Sequence, residues 1–247
     1  MEQRDLNDSA EALHYFDAPT VEVDASLESD EGSRELGELS PFVISGGSNT
    51  ERFYFKHISR FTPYKFNVIP EYFGDESNYT EVFPARISEI LSKNTDAKIF
   101  CVFDWDTIAG DNTKEAKHKS FIKKIEPAIT QGAVVICETM PCIEYWFLLH
   151  FENCTQRLDS YSKVSNKLAP YLKPYFLDPD CSKKIAFKKL MKAEKYLSNS
   201  AWVEKLCADN KLELAIKRAE ENIQQAEADK TLDTVSYSYV FKLFKES

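Results

Sequence analysis

From residue 41 onwards, compact apolar runs alternate with stretches whose apolar positions recur at helical spacing. The runs are rich in β-branched and aromatic residues, which is typical of strands buried on both faces. Strands that alternate with helices in this way indicate βαβ units, so we predict an α/β fold with a parallel sheet flanked by helices. The predicted strands are 41–45, 65–70, 98–106 and 132–138, and the predicted helices between them are 51–61, 81–93 and 113–129.

The rest of the chain is predicted to be mostly helical. Residues 142–152 predict a buried helix, 182–199 a basic amphipathic helix and 211–230 a long exposed one. We therefore divide the chain into a flexible N-terminal arm, an α/β core, and a helical C-terminal region packed on that core. The bounds of these three parts are 1–40, 41–155 and 156–247.

Negative charge is concentrated at the N-terminus. Residues 1–40 contain 12 Asp and Glu against 2 Arg, in a chain with 40 acidic residues, 31 basic residues and a net charge of −9. The acidity therefore belongs to a segment of low hydrophobicity, which predicts disorder, and the remainder is close to neutral. Two interpretations stay open. The segment is either a solubilising tail or an acidic arm that lies on a basic groove or a partner, anchored by Leu13 to Phe16.

Composition excludes several classes of protein. The longest mostly apolar stretch, 145–151, is far shorter than the roughly 18 residues of a spanning helix, so no membrane partner is expected. The N-terminus lacks the basic start and apolar segment of a signal peptide, so we expect a cytoplasmic protein with reduced cysteines. The six cysteines form no C-x-x-C pair and the histidines number four, which argues against a disulfide framework or a zinc site.

Two acids end the strongest of the predicted strands. Asp104 and Asp106 flank Trp105, so strand alternation would point both carboxylates to the same side. Ligands of parallel sheets bind at the carboxyl ends of the strands, and paired carboxylates there suit a hard divalent cation. We predict that this pair binds Mg2+ or Mn2+. The competing interpretation is that both are ordinary loop acids.

A glycine-rich turn precedes the first predicted helix. Gly46 and Gly47 would let backbone amides approach a ligand closely, and Thr50 could cap the helix that follows. Glu51 would then lie in the first helical turn, at the same edge of the sheet as the acid pair. It either completes the metal site or serves only to stabilise the helix start.

A further acid follows the strand 132–138. Pro141 suits the first turn of a helix, so Glu144 would lie within that turn and at the carboxyl end of the sheet. A Glu at an otherwise aromatic and apolar helix start needs a partner. The aromatic residues after it are expected to pack in the core, and His150 is expected to be a buried, hydrogen-bonded residue.

Lysines form two groups that fit a nucleic-acid substrate. On a helix over 182–199 the first group would project from one face, opposite the apolar residues. The second group follows the acid pair, where contacts to phosphate would be useful. The competing interpretation is that both are ordinary solvated helix faces. The first group is Lys184, Lys188, Lys192 and Lys195, and the second is Lys114, Lys117, Lys119, Lys123 and Lys124.

Three segments together resemble the RloB-like (AbiLii-like) family of prokaryotic phage-defence proteins. They are VISGGSNTERFYF, FCVFDWD and TMPCIEYWFLLHFE, in this order and at this spacing. The third is the most specific, because family members carry a similar S-N-P-C-F-E-x-W-x-L-L-H-F sequence, with Asn where this chain has Met140. The resemblance covers roughly residues 41–225.

The resemblance implies a TOPRIM-like fold and a Mg2+-dependent nuclease that cleaves DNA or RNA in abortive infection. It also implies a partner ATPase of the AAA or ABC type, while assembly into a homo-oligomer stays open. Asp104 and Asp106 match the metal-binding D-x-D of the family, and Glu51 and Glu144 match its remaining acids. The resemblance therefore implies that these four residues are catalytic, with Glu51, Asp104 and Asp106 as metal ligands.

The sequence departs from the family pattern after the first strand. Family members run into E-G-x-x-T-E there, and this chain has Gly46 in place of the first Glu. Either Glu51 takes over the missing role, or the protein is a catalytically silent TOPRIM-like subunit that binds and regulates a partner ATPase. A phosphatase of the haloacid dehalogenase type ranks third, because Thr107 lies three residues after Asp104 and that mechanism requires four.

Overall fold

We describe the chain from a computed structural model. Contacts divide it into two units, Met1–Glu35 and Leu36–Ser247, and all described residues belong to the second. The predicted acidic arm thus lies outside the described residues, apart from Ser40. The described residues are 40–47, 49–69, 79–176 and 185–246, except for the side chains of residues 79 and 81.

A five-stranded sheet lies at the centre of the described part. Its strands are β1 (Phe42–Ser45), β2 (Asn67–Ile69), β3 (Ile99–Asp104), β4 (Val134–Met140) and β5 (Tyr237–Ser238). The order is β2-β1-β3-β4-β5, with β1 to β4 parallel and β5 antiparallel to β4. The α/β fold is therefore confirmed, and each predicted apolar run forms a parallel strand. The sequence missed β5, since two residues are too short to show strand alternation.

Helices follow the parallel strands and cover both faces of the sheet. After β1 to β4 come, in turn, α1 (Thr50–Ile58), α2 (Tyr79–Lys93), α3 (Asn112–Thr130) and α4 (Ile143–Leu149). The C-terminal part is mainly helical, as predicted. It contains α5 (Tyr161–Leu172), α6 (Phe187–Leu190), α7 (Glu194–Leu197), α8 (Ala201–Cys207), α9 (Lys211–Ala228) and α10 (Lys242–Lys245).

Within the described ranges, no helix combines the length and the apolar character that a membrane crossing requires.

The central strand β3 is buried on both faces, as its continuous apolar sequence predicts. Alternate residues of β3 enter opposite clusters, so that Val102 packs in the larger cluster and Phe103 in the smaller. The smaller cluster is completed by α2 and α3. The larger is completed by α1, α4 and the C-terminal helices, so the helical C-terminal region and the sheet share one core.

α4 is enclosed by protein on all sides, and each of its residues is at most 1% exposed. Trp146 donates a hydrogen bond from Nε1 to the hydroxyl of Tyr54 at 2.9 Å, which joins α4 to α1. Arg218 of α9 donates to the carbonyl of Leu149 at 2.6 Å and so satisfies the end of the helix. The apolar sequence of α4 is that of a helix buried all round, which makes its acid Glu144 exceptional.

The prediction of a single basic helix at 182–199 is wrong. Its described residues form the short helices α6 and α7, joined by a turn at Met191 and Lys192 and by extended Ala193. The carbonyls of Met191 and Lys192 accept hydrogen bonds from the side chains of Thr50 and Asn49 at 2.6 and 3.0 Å. These long-range bonds fix the turn and override the local helical pattern, so the lysines do not form one stripe.

Other helices differ from prediction in detail. The long helix α9 forms, but it buries one face, which includes Leu212, Ala215 and Ile223. The fourth helix spans Ile143–Leu149, one residue after the start of the predicted range 142–152, because β4 continues to Met140.

Replacing Phe147 by Ala should lower the free energy of unfolding by about 3–5 kcal/mol. The Phe147 ring is fully buried, with its centroid 4.9 Å from that of Tyr54 and 5.6 Å from that of Trp202, so it links α1, α4 and α8. Urea unfolding would measure the change. Leu214→Ala, at a side chain that is 41% exposed, is the control and should shift stability by less than about 0.5 kcal/mol. Equal effects of the two substitutions would contradict the shared core.

Candidate functional site

Three parallel strands deliver acidic side chains to the same edge of the sheet. Asp104 is the last residue of β3, Glu51 is the second residue of α1 after β1, and Glu144 is the second residue of α4 after β4. Because the carboxyl ends of parallel strands coincide, the sequence predicted this meeting. We call Glu51, Asp104, Asp106 and Glu144 the acidic cluster.

Asp104 connects the end of β3 to the start of α4. Its Oδ1 accepts a hydrogen bond from the backbone N–H of Ile143 at 2.8 Å. Burial raises the pKa of Asp104 well above its usual value, and the nearby carboxylates of Glu51 and Glu144 raise it further. The hydrogen bond from Ile143 only partly offsets these effects.

Asp106 reaches the cluster by a different route from the one predicted. β3 ends at Asp104, and Asp106 lies in a 3-10 turn, Trp105–Thr107, so strand alternation does not align the two acids. The turn is held by the N–H of Asp106, which donates to the carbonyl of Pro141 at 3.1 Å. Burial raises the pKa of Asp106, and the carboxylate of Glu144 adds to this effect.

Glu51 folds back over the glycine turn. A Cβ atom on Gly47 would lie 2.0–2.3 Å from the carboxylate atoms of Glu51, so that carboxylate occupies the space that only glycine leaves free. A Cβ atom on Gly46 would make an ordinary contact of 3.4 Å with Cβ of Phe103. Burial raises the pKa of Glu51, Lys192 lowers it in part, and the carboxylate of Glu144 raises it further.

Glu144 is the most unusual member of the acidic cluster. Its side chain is 0% exposed, and neither carboxylate oxygen has a hydrogen-bond partner. A buried carboxylate without such partners is costly unless a cation lies close to it. The ammonium of Lys192 lies 3.5 Å from Oε1 of Glu144 and supplies that charge.

Lys192 is held in place by its backbone and by an aromatic ring. The carbonyl bonds from Asn49 and Thr50 fix the turn that carries it, and its ammonium lies 5.2 Å from the ring centroid of Tyr161. Burial alone would lower the pKa of Lys192, but the carboxylates of Glu144 and its neighbours raise it above the usual value. The ammonium therefore stays charged, with 51% of the side chain exposed.

Sequence reasoning missed this role of Lys192. It was predicted to contact nucleic acid from a helical stripe, and nothing local in the sequence links it to Glu144. Asn49 and Thr50 were also missed as its supports. Thr50 was expected to cap α1, but Asn49 is the N-cap, makes no side-chain capping bond, and both side chains bond across to the 191–192 turn.

The other lysines that were predicted to bind nucleic acid have three different outcomes. Lys188 and Lys195 lie over the rings of Tyr161 and Tyr196, with ammonium-to-centroid distances of 5.7 and 4.8 Å. Lys184 lies outside the described residues. The second predicted group is exposed on α3, consistent with either of its two interpretations: Lys114, Lys117, Lys119, Lys123 and Lys124.

The acidic cluster has oxygen ligands of the kind that Mg2+ prefers, and the oxygens of Glu144 accept no hydrogen bond, although Oε1 is ion-paired with Lys192. Across the described ranges, however, no three His, Cys, Asp or Glu side chains are arranged as a ready-made metal site. The ammonium of Lys192 supplies positive charge at the cluster in this arrangement.

The prediction that His150 is a buried, hydrogen-bonded residue is confirmed, since His150 is 1% exposed and its Nδ1 lies 2.7 Å from the carbonyl of Leu206.

Replacing Asp104 by Asn should stabilise the protein at neutral pH. A carboxyl whose pKa is raised on folding binds more protons in the folded state, so unfolding free energy falls as pH rises above its ordinary pKa, 3.8. The amide retains an acceptor for Ile143 and does not titrate. The stability advantage of the variant should grow from pH 4 towards neutrality, as followed by thermal unfolding. An advantage that does not change with pH would show that the pKa of Asp104 is not raised.

Replacing Lys192 by Met should destabilise the protein by about 1–2 kcal/mol at neutral pH, less than the loss of a fully buried pair because the ammonium is half exposed. The control is the same substitution in a Glu144→Gln background. There it should cost less, because the amide needs no counter-charge. Equal costs in both backgrounds, measured by urea unfolding, would show that Lys192 and Glu144 are not coupled.

Comparison with known proteins identifies a family. The family described as RloB-like protein matches residues 42–246, which includes every described acid of the cluster. No curated protein matches the chain, and no solved structure matches it. Since the matched residues cover most of the chain and contain the sheet, the acidic cluster and Lys192, the chain belongs to the RloB-like family.

Proposed function

We propose that the protein is a metal-dependent nuclease that cleaves phosphodiester bonds of DNA or RNA. The observation that carries this proposal is the acidic cluster, in which the carboxylate oxygens of Glu144 are fully buried without hydrogen-bond partners. Such an arrangement is expensive for folding and is typical of functional sites. A TOPRIM-like fold, as the family resemblance implies, would place its acids at this same edge of a parallel sheet.

Mg2+ or Mn2+ is the cofactor that this donor set suits. Asp104, Asp106 and Glu51 would hold it, and a bound divalent ion would polarise the phosphate and lower the pKa of a coordinated water. The raised pKa values of these acids support the proposal, because crowded carboxylates favour binding of a cation.

The remaining groups suit the handling of phosphate and protons. Lys192 presents a charged, half-exposed ammonium beside the acids and would bind a phosphate oxygen at the reacting centre. Glu144 would orient water or accept its proton.

Glu51 would replace the acid that is missing at Gly46. Its carboxylate lies against Gly47, next to the backbone position from which the family Glu projects. The helix thus returns a carboxylate towards the end of β1. We propose that the chain keeps the chemistry with a relocated acid.

A second candidate function is that of a catalytically silent subunit that binds and regulates a partner ATPase. It is favoured by the ion pair between Lys192 and Glu144, which balances charge without a metal, and by the absence of a ready-made metal site among the described residues. In either case we propose a role in antiphage abortive infection with an AAA or ABC-type ATPase, as the family resemblance implies.

Incubation of the purified protein with labelled DNA and RNA in Mg2+ or Mn2+ would test the nuclease. Cleavage should require the divalent ion and disappear in the Asp104→Asn, Asp106→Asn double variant, with binding of the ion followed by calorimetry. Cleavage that persists in this variant would place the chemistry elsewhere. Metal binding without cleavage, both alone and with the cognate ATPase, would favour the silent subunit.

The relocation of the acid can be tested with two adjacent glycines. Gly47→Ala should displace the Glu51 carboxylate, because the new methyl group occupies its place, and lower the cleavage rate by about tenfold or more. Gly46→Ala is the matched control, since its methyl group makes only an ordinary contact with Phe103. Both variants should unfold close to the wild type, because a flexible carboxylate can move. Equal rates for the two variants would exclude Glu51 as the replacement acid.

A further inference from the structure

We propose that α5 and the turn after it form a binding surface for single-stranded nucleic acid, with bases stacked on Tyr171 and Tyr175. This inference rests on the proposed nuclease function, for which it names the substrate class. We call this region the tyrosine surface. It consists of Tyr171, Tyr175 and four lysines of α5, the following turn and α8: Lys163, Lys167, Lys173 and Lys205.

The two tyrosines are unusual for their exposure. Tyr171 is 36% exposed and Tyr175 is 38% exposed, and the other large apolar side chain of comparable exposure in the described ranges is Leu214 on α9. Tyr171 is also fixed in orientation. Its ring lies parallel to that of Phe151, with centroids 4.8 Å apart and planes 2° apart. A base stacking on this ring would therefore meet a rigid platform, which reduces the entropy lost on binding.

Positive charge accompanies the rings. Residues 161–175 contain Lys163, Lys167 and Lys173 and no acid, and Lys163 is paired with Asp159 at 2.8 Å. The ammonium of Lys205 lies 5.1 Å from the ring centroid of Tyr175. The nearest acid to Tyr171 is held in an ion pair: Glu152 lies 3.1 Å from the Lys167 ammonium and accepts from the Tyr171 hydroxyl at 3.1 Å. Aromatic rings beside cations match a strand of nucleic acid, whose phosphates and bases alternate.

α5 runs between the tyrosine surface and the acidic cluster. α5 begins at Tyr161, whose ring contacts the ammonium groups of Lys188 and Lys192 and whose buried hydroxyl lacks a hydrogen-bond partner. Tyr171 lies ten residues further along α5, or about 15 Å at 1.5 Å per residue. This corresponds to about four stacked nucleotides at 3.4 Å each. A strand bound along α5 would thus lead from the stacking rings to the acids.

These features select single strands over duplexes. Exposed rings bind bases by their flat faces, which a duplex hides within its stack. The surface would therefore take single-stranded DNA or RNA without strong preference for sequence, because every base has such a face.

Fluorescence anisotropy with a labelled single-stranded oligonucleotide and its duplex, in EDTA, would test the proposal on the full-length protein. The Tyr171→Leu, Tyr175→Leu pair keeps apolar bulk and removes the aromatic faces. It should weaken single-strand binding about tenfold or more. Tyr171→Phe, Tyr175→Phe retains the rings and should bind like the wild type, as should Leu214→Ser, at an exposed apolar residue of another helix.

Two results would overturn the proposal: unchanged single-strand affinity in the leucine pair, or equal wild-type affinity for single strand and duplex. Thermal unfolding of the leucine pair would reveal a loss of folding, in which case the single variant Tyr175→Leu replaces it. The outcome is separable from that of the nuclease. If binding depends on the rings but no cleavage occurs, the binding surface is supported and the proposed nuclease activity is contradicted. If cleavage occurs but binding does not depend on the rings, the nuclease activity is supported and the binding surface is contradicted.

Discussion

The burial of Glu144 is the constraint on which the rest of the site depends. A carboxylate that is fully enclosed at the start of a buried helix needs a nearby cation, and the ammonium of Lys192 lies 3.5 Å away. That ammonium arrives on a turn between two short helices, and the turn is in place because side chains at the start of α1 bond its carbonyls. One electrostatic requirement thus joins the first and fourth helices to the C-terminal region.

The burial of α4 explains why the C-terminal helices pack on the sheet. α4 is buried on all sides, so α5, α8 and α9 are needed to cover it, and β5 adds a strand to the sheet beside it. Trp202 of α8 is fully buried in this core. A separate α/β core would leave the aromatic residues of α4 in water, at a cost of several kcal/mol in hydrophobic burial.

Much of the fold could be predicted from the sequence, because apolar runs such as that of β3 are long enough to show their period. The meeting of Asp104, Glu51 and Glu144 also followed, since each acid stands just after a parallel strand. The position of Asp106 was predicted from strand alternation, and the actual cause is a 3-10 turn.

What the sequence could not provide were contacts between distant segments. The pairing of Thr50 with the carbonyl of Met191 spans 141 positions and breaks a segment whose own pattern is helical. The local pattern of 182–199 is helical, so its lysines were predicted to share one helix face. Tertiary bonds are stronger than local propensity, and here they break the helix. The pairing of Lys192 with Glu144 was hidden for the same reason.

The order of these segments along the chain also sets when the site is assembled during synthesis, because the bonds from Asn49 and Thr50 need the 191–192 turn. The acids of α1, β3, the 3-10 turn and α4 are synthesised first, and Lys192 emerges only later, with Asn49 and its carbonyl partner 143 positions apart. A nascent chain that ends after α4 therefore carries the acids without their counter-charge and without the helices that cover α4. The acidic cluster therefore acquires its counter-charge only after the 191–192 turn has been synthesised.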